Sequence, residues 1–140
     1  MPVVCDFVMI QGDGAVNIGD SANRSGWKKT FNTGGRHGGG AAFLMLNVQN
    51  LTATQQSVQV KVNDREVGRI MPYYPSGNFG DRNREAAHWY TQMINIGPNV
   101  LNSGNNTIEI EPVSWQDATS GDLYDDFKVK DVICFFQQNA

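Results

Sequence analysis

Residues 57–70 read Ser-Val-Gln-Val-Lys-Val-Asn-Asp-Arg-Glu-Val-Gly-Arg-Ile, and within them Val58, Val60 and Val62 alternate with Gln59 and Lys61. A period of two turns every second side chain toward the same sheet face, so this is a half-buried strand. Asn63 and Asp64 enter left-handed backbone more cheaply than other non-glycine residues, which makes them the turn of a hairpin whose return strand covers residues 66–70. Similar patterns flank it. Residues 3–10 are β-branched and aromatic, with Cys5, Phe7 and Met9 on one face and Val4, Asp6 and Val8 on the other. Residues 15–18 make a short strand, and residues 27–33 alternate through Trp27, Lys29 and Phe31. Residues 41–48 are the most apolar run, with Leu44, Leu46 and Val48 in register. Residues 88–96 supply another strand, and residues 107–113 turn Ile108 and Ile110 inward and Glu109 and Glu111 outward. Residues 127–137 close the series. There the adjacent Phe135 and Phe136 break alternation, which calls for a bulge or for burial on both faces.

Eight or nine short antiparallel strands without a helix-period segment predict an all-β fold, an antiparallel two-sheet β-sandwich or a barrel. The predicted core is Leu44, Leu46, Val58, Val60, Val62, Ile108 and Ile110. At 140 residues the chain is sized for a single domain, residues 1–140, with one core. The 15 glycines fit many turns, and the longest irregular segments are residues 72–87 and 114–126.

Charge narrows the partners. A net charge of −3 and no Lys/Arg cluster beyond Lys28-Lys29 and Arg82/Arg84 give no field to attract phosphates, so nucleic acid is not expected. No run approaches the roughly 18 apolar residues of a membrane span. The first residues lack a basic segment followed by a long apolar one, so no signal peptide is expected, and the chain is expected to be cytoplasmic or non-classically exported. Sequons at Asn23, Asn50 and Asn105 read as chance in an Asn-rich chain. Cys5 and Cys134 read as two buried thiols, with a terminal-strand disulfide as the alternative.

The Gly-rich residues 34–40 surround Arg36 and His37, but no Lys-Ser/Thr follows and a strand comes next, so a mobile exposed loop is expected instead of a phosphate cradle. Gly104 is expected to carry a positive backbone torsion, and Asn105 to bond nearby backbone.

A resemblance adds to this reading. Val60-Lys-Val-Asn-Asp-Arg-Glu-Val-Gly68, Leu101-Asn-Ser-Gly-Asn-Asn-Thr-Ile-Glu-Ile-Glu111 and Asp125-Asp-Phe-Lys-Val-Lys-Asp-Val132 together resemble the galactose-binding-like jelly roll. That domain occurs in carbohydrate-binding modules and in accessory domains of glycoside hydrolases and polysaccharide lyases. The resemblance covers residues 41–136. It implies a jelly-roll sandwich and a habit of binding sugars. It transfers no binding residue, because ligand residues in that superfamily lie in variable loops.

Catalytic constellations are weak. The loop acids Asp117, Asp122, Asp125 and Asp126 read as solvated or turn-capping carboxylates. Ser76 or Ser114 with His37 or His88 lacks a nucleophile-elbow sequence, and two Cys with two His match no zinc spacing. The chain therefore reads as non-enzymatic. No cofactor is expected, although a structural calcium ion on Asp13, Asp20, Asp125 or Asp126 stays open, since loop carboxylates and carbonyls are its ligands. Sugar binding needs flat aromatic faces beside hydrogen-bonding side chains. Tyr73, Tyr74 and Trp115 are the loop aromatics placed at such a site, with Asn78, Asp81, Arg82, Arg36 and His37 as polar partners. The expected function is a lectin-like carbohydrate-binding protein. The alternative is a structural or protein-interaction module of the same fold without a sugar ligand. A homo-oligomer is modestly favoured, because a one-domain lectin gains avidity from repeated sites and the edge strands of a sandwich can pair across a two-fold axis.

Overall fold

The computed structural model describes residues 3–19, 22–23, 25–34, 40, 42–52, 58–73, 75–77, 79–112, 114–117, 121–124 and 126–139, with only the backbone described at residues 3, 79, 82, 114–117, 121–124 and 139. Its strands are β1 (Val3–Gln11), β2 (Val16–Ile18), β3 (Trp27–Asn32), β4 (Ala42–Gln49), β5 (Val58–Val62), β6 (Arg65–Ile70), β7 (Tyr90–Ile96), β8 (Asn105–Glu111), β9 (Ser114–Asp117), β10 (Gly121–Tyr124) and β11 (Phe127–Asn139). Nine of them form two antiparallel sheets. One runs β1-β11-β4-β7 with β2 beside the start of β11, and the other runs β3-β8-β5-β6. The arrangement is a β-sandwich and not a closed barrel.

The seven predicted core residues are all buried between these sheets. At the β5–β6 turn, Asn63 and Asp64 both take positive φ, 52° and 65°, as a two-residue hairpin loop requires. Gly104 likewise has φ +95°. Gly68 sits where β6 approaches the other sheet: a Cβ there would lie 2.6 Å from Ile94 Cγ2.

A polar cluster closes one end of the four-stranded sheet. Asn106 is 2% exposed, and its Nδ2 donates to the carbonyls of Asn102 and Gly104, both at 3.0 Å. Its Oδ1 accepts from Asn63 Nδ2 at 2.8 Å and from the Asn102 N–H at 2.7 Å. Asn106, rather than the expected Asn105, therefore fastens this turn. Asn105 is exposed, and its Oδ1 accepts from Asn32 Nδ2.

Four other expectations are corrected. Residues 114–126 hold a hairpin, in which Trp115 pairs with Leu123 and the two strands form a sheet of their own. Residues 72–87 include a 3-10 turn, Phe79–Asp81, and a short helix α1, Arg82–Ala86. Cys5 is exposed while Cys134 is buried, and both thiols are free. Cys134 faces Val8 across β1, three residues from Cys5, and the two side chains point to opposite faces. Finally, the irregularity in β11 lies upstream of the phenylalanine pair. Asp131 takes φ 50°, and the register to β4 slips between Lys130 and Ile133. Phe127 and Val129 are inward before this bulge; Val132, Cys134 and Phe136 are inward after it. Phe135 and Phe136 then alternate normally, one on each face.

Candidate functional site

The segment between β6 and β7 crosses from the edge of one sheet to the edge of the other, and its β6 end is fastened to β7. Gln92 Nε2 donates to the Arg69 carbonyl at 2.6 Å, and the Met71 N–H donates to Gln92 Oε1 at 3.0 Å. Tyr90, the first residue of β7, donates its hydroxyl to the Met71 carbonyl. Tyr73 stacks on the Tyr90 ring, with centroids 5.1 Å apart and planes 18° apart. Its ring thus has one face on an anchored partner, and at 40% exposure it presents the remainder to solvent beside the exposed Met71.

Beyond Tyr73 the chain coils into α1. Arg, Glu and Ala favour a helix, but five residues do not hold one alone. The fold supplies the rest. Ala86 is buried, the Asn50 N–H donates to its carbonyl at 2.7 Å, and Gln49 Nε2 donates to the Ala87 carbonyl at 2.7 Å. The helix is thereby pinned to the end of β4. At its start Asp81 makes no capping bond and instead pairs with Arg84 at 3.0 Å. Glu85 Oε1 accepts the Ser76 N–H at 3.2 Å, and its other oxygen is buried without a partner among the described residues.

Of the residues expected at a sugar site, Tyr73 and Asp81 have described side chains, and both belong to this segment. Arg82 opens α1 and Trp115 lies in β9, but their side chains are not described. Tyr74, Asn78, Arg36 and His37 lie outside the described residues. Sequence reasoning missed Tyr90 and Gln92, which build the platform under Tyr73. Their position at the start of a strand beside an aromatic loop was the available signal.

Other surfaces differ in character. Asn17, Asn50, Asp126, Phe127 and Lys128 line a shallow cleft of about 160 Å³, below the roughly 300 Å³ of small-molecule pockets. Of the residues weighed for calcium, Asp13 lies 4.0 Å from Lys130 Nζ, Asp126 is exposed, and Asp20 and Asp125 lie outside the described residues. Among the described residues no three His, Cys, Asp or Glu side chains gather as a metal site. Lys130 also sits over the Trp89 ring, 4.4 Å from its centroid, a cation–π contact. On the outer face of the four-stranded sheet, Lys28, Glu109, Lys61 and Glu66 lie in one cross-strand row of alternating sign. A hydrogen bond to Glu111 raises the Lys61 ammonium above its ordinary value, and one from Arg69 lowers the Glu66 carboxyl.

The model of a family described as the CBM-like domain III of polysaccharide lyase family 4 matches residues 11–129. The chain belongs to this family. The match extends the likeness noted for residues 41–136 back to the end of β1, taking in β2 and β3. Among solved structures, a family 35 carbohydrate-binding module from Clostridium thermocellum aligns with 20% identity and a TM-score of 0.46, over 89% of this chain and 97% of that one. A β-porphyranase of glycoside hydrolase family 86 from the human gut bacterium Bacteroides plebeius aligns with 12% identity and a TM-score of 0.48, over 97% of this chain and 21% of the enzyme. The curated proteins give no significant match.

Proposed function

We propose that this CBM-like domain binds carbohydrate without cleaving it, and that the crossing segment between β6 and β7 is its contact surface. The observation that carries the reading is Tyr73, an exposed ring held flat against the anchored Tyr90. A ring already fixed loses little freedom when the apolar face of a pyranose settles on it, so the stacking energy is not spent on ordering the side chain. Asp81, Arg84 and the backbone around α1 supply hydrogen-bonding groups for hydroxyls. Membership of a CBM-like family supports the same reading.

Affinity electrophoresis and calorimetry against a panel of neutral and acidic polysaccharides, with and without chelator, test it. Tyr73→Ala is expected to weaken binding roughly two- to tenfold, the worth of one aromatic stack of about 0.5–1.5 kcal/mol. Trp115→Ala tests whether the β9–β10 hairpin shares the site. No chain shortening should accompany binding. A wild-type domain that binds nothing on the panel, or a Tyr73→Ala variant that binds as tightly as the parent, overturns the reading.

A further inference from the structure

The outer face of the five-stranded sheet is apolar where a solvated face would be polar. Cross-strand register places Phe7, Phe135 and Phe43 in one row over β1, β11 and β4. The next row is Met9, Ile133, Met45 and Met93, which reaches β7. Phe7 is 61% exposed, Met9 52%, Phe43 37% and Met93 59%. The other sheet's outer face carries the row of Lys28, Glu109, Lys61 and Glu66 instead, so the contrast belongs to this face and not to the sandwich in general. Residues 7, 9, 133 and 135 lie on either side of the family-matched span.

We infer that this face docks against the same face of a second copy of the chain. Its exposed apolar area is on the order of 500 Å², near the upper end of what monomers display. With the polar rim of Asn47, Thr91, Asn95 and Gln137 it reaches about 800 Å² per partner, the size of a standard stable interface. The two rows hold no ionised side chain; the charges nearest them, Asp131 bonded to Asn47 and Lys130 opposite Asn47, are of opposite sign and stand at the rim. A two-fold axis through the sheet lays ridges of Phe and Met on their own counterparts, as stacked sheets pack in sandwiches.

Two other arrangements fit less well. The Phe43 and Phe135 rings stack on each other, with centroids 4.9 Å apart and planes 20° apart, and Phe7 leans on Phe135 at 5.9 Å. The two apolar rows themselves carry no group that bonds a hydroxyl, and the polar side chains of this face stand only at its rim, so a pyranose stacked on these rings would leave most of its hydroxyls unpaired. Addition of a strand at the β1 edge is opposed by Asp6, whose Oδ1 accepts the Phe7 N–H at 2.8 Å and blunts the edge.

The test is sedimentation equilibrium of the 140-residue chain from about 1 to 300 μM, a span bracketing the weaker affinities of standard interfaces. A reversible dimer is expected. Met93→Lys and Phe7→Lys, both at exposed positions, should raise its dissociation constant by at least about tenfold, with circular dichroism unchanged. Thr30→Lys, on the opposite face, should leave it alone. Should Met93→Lys fail to fold, Phe7→Lys on the edge strand decides. A monomer throughout the range, a dimer indifferent to both face variants, or a monomer that loses polysaccharide binding through Met93→Lys overturns the inference. Loss of dimer with polysaccharide binding retained separates it from the Tyr73 reading.

Discussion

Replacing Asn106 by Ala probes the polar cluster that joins the β5–β6 turn to the loop before β8. Four hydrogen bonds disappear with the amide, at 2.7, 2.8, 3.0 and 3.0 Å. The damage is uneven. The Asn102 carbonyl keeps Thr33 Oγ1, the Gly104 carbonyl keeps the Thr33 N–H, and Asn63 Nδ2 keeps the Val100 carbonyl. The Asn102 N–H loses its acceptor. A typical bond contributes about 1 kcal/mol net, and an orphaned buried group costs about 1–3 kcal/mol, so the variant should lose about 2–4 kcal/mol. At roughly 3–5 °C per kcal/mol for a domain of this length, the thermal midpoint should fall by roughly 6–20 °C. Scanning calorimetry of Asn106→Ala beside Asn105→Ala measures this. Asn105 is exposed, one residue away on the same strand, and its variant should stay within about 0.5 kcal/mol of the parent. A fall below about 3 °C for Asn106→Ala, or equal falls for both, would refute the assignment of the cluster as the fastening of this end.

Two further outcomes follow from packing and ionisation. Gly68→Ala should destabilise by about 1–3 kcal/mol, because the new Cβ meets Ile94 Cγ2; combining it with Ile94→Ala, which removes that methyl, should cost less than the sum of the two single changes in urea denaturation. Burial pushes the Cys134 thiol from its ordinary 9.0 up to about 12, so the folded state holds that proton longer than the unfolded chain does. Stability should therefore be intact below pH 9 and decline as pH rises from there toward 12, and Cys134→Ala should flatten this alkaline limb.

The sandwich was legible because its central strands obey one rule throughout. Val58, Val60 and Val62, Ile108 and Ile110, and Leu44 and Leu46 each repeat at a period of two, and the structure buries every one. Carried back two residues from Ile108, the same alternation turns Asn106 inward; polarity concealed that its partners lie in two loops. The β9–β10 hairpin was less visible, since Ser-Trp-Gln-Asp and Gly-Asp-Leu-Tyr are too short and polar to show a face. Helix α1 depends on bonds from Gln49 and Asn50, more than thirty residues away, which no local propensity reveals. The aromatic platform was half legible: Tyr73 stands out in its loop, whereas Tyr90 reads as a strand residue until the crossing of the two sheets brings the rings together. Strand β1 shows what alternation omits. Its pattern marks a strand, but not its place at the edge of the larger sheet, where Phe7 and Met9 face outward and Cys5 is exposed.

The bulge at Asp131 sets which half of β11 faces the core, and it yields a test in which chemistry reports register. Asp131 holds φ 50°, donates its N–H to the Gly12 carbonyl at 2.9 Å, and accepts Asn47 Nδ2 at 2.9 Å. A β-branched residue there should lose the Asn47 bond and bear left-handed strain of about 1–2 kcal/mol, for a total of about 2–3 kcal/mol. Asp131→Gly loses the same bond but relieves the torsion, so it should fall well short of Asp131→Val. Deleting residue 131 is a different perturbation, because it removes the extra residue of the bulge and restores unbroken alternation along β11. Val132, Cys134 and Phe136 would keep the core face and Ile133 and Phe135 the outer one. Thiol titration with a disulfide reagent reads this directly, since reaction requires an accessible thiolate. The native protein should show one reactive thiol, Cys5, with Cys134 appearing only in denaturant. Asp131→Val should keep that count while lowering the midpoint, and so should the deletion, since it leaves Cys134 on the core face. Rapid labelling of Cys134 in the native wild-type protein would show that β11 does not hold the phase described here.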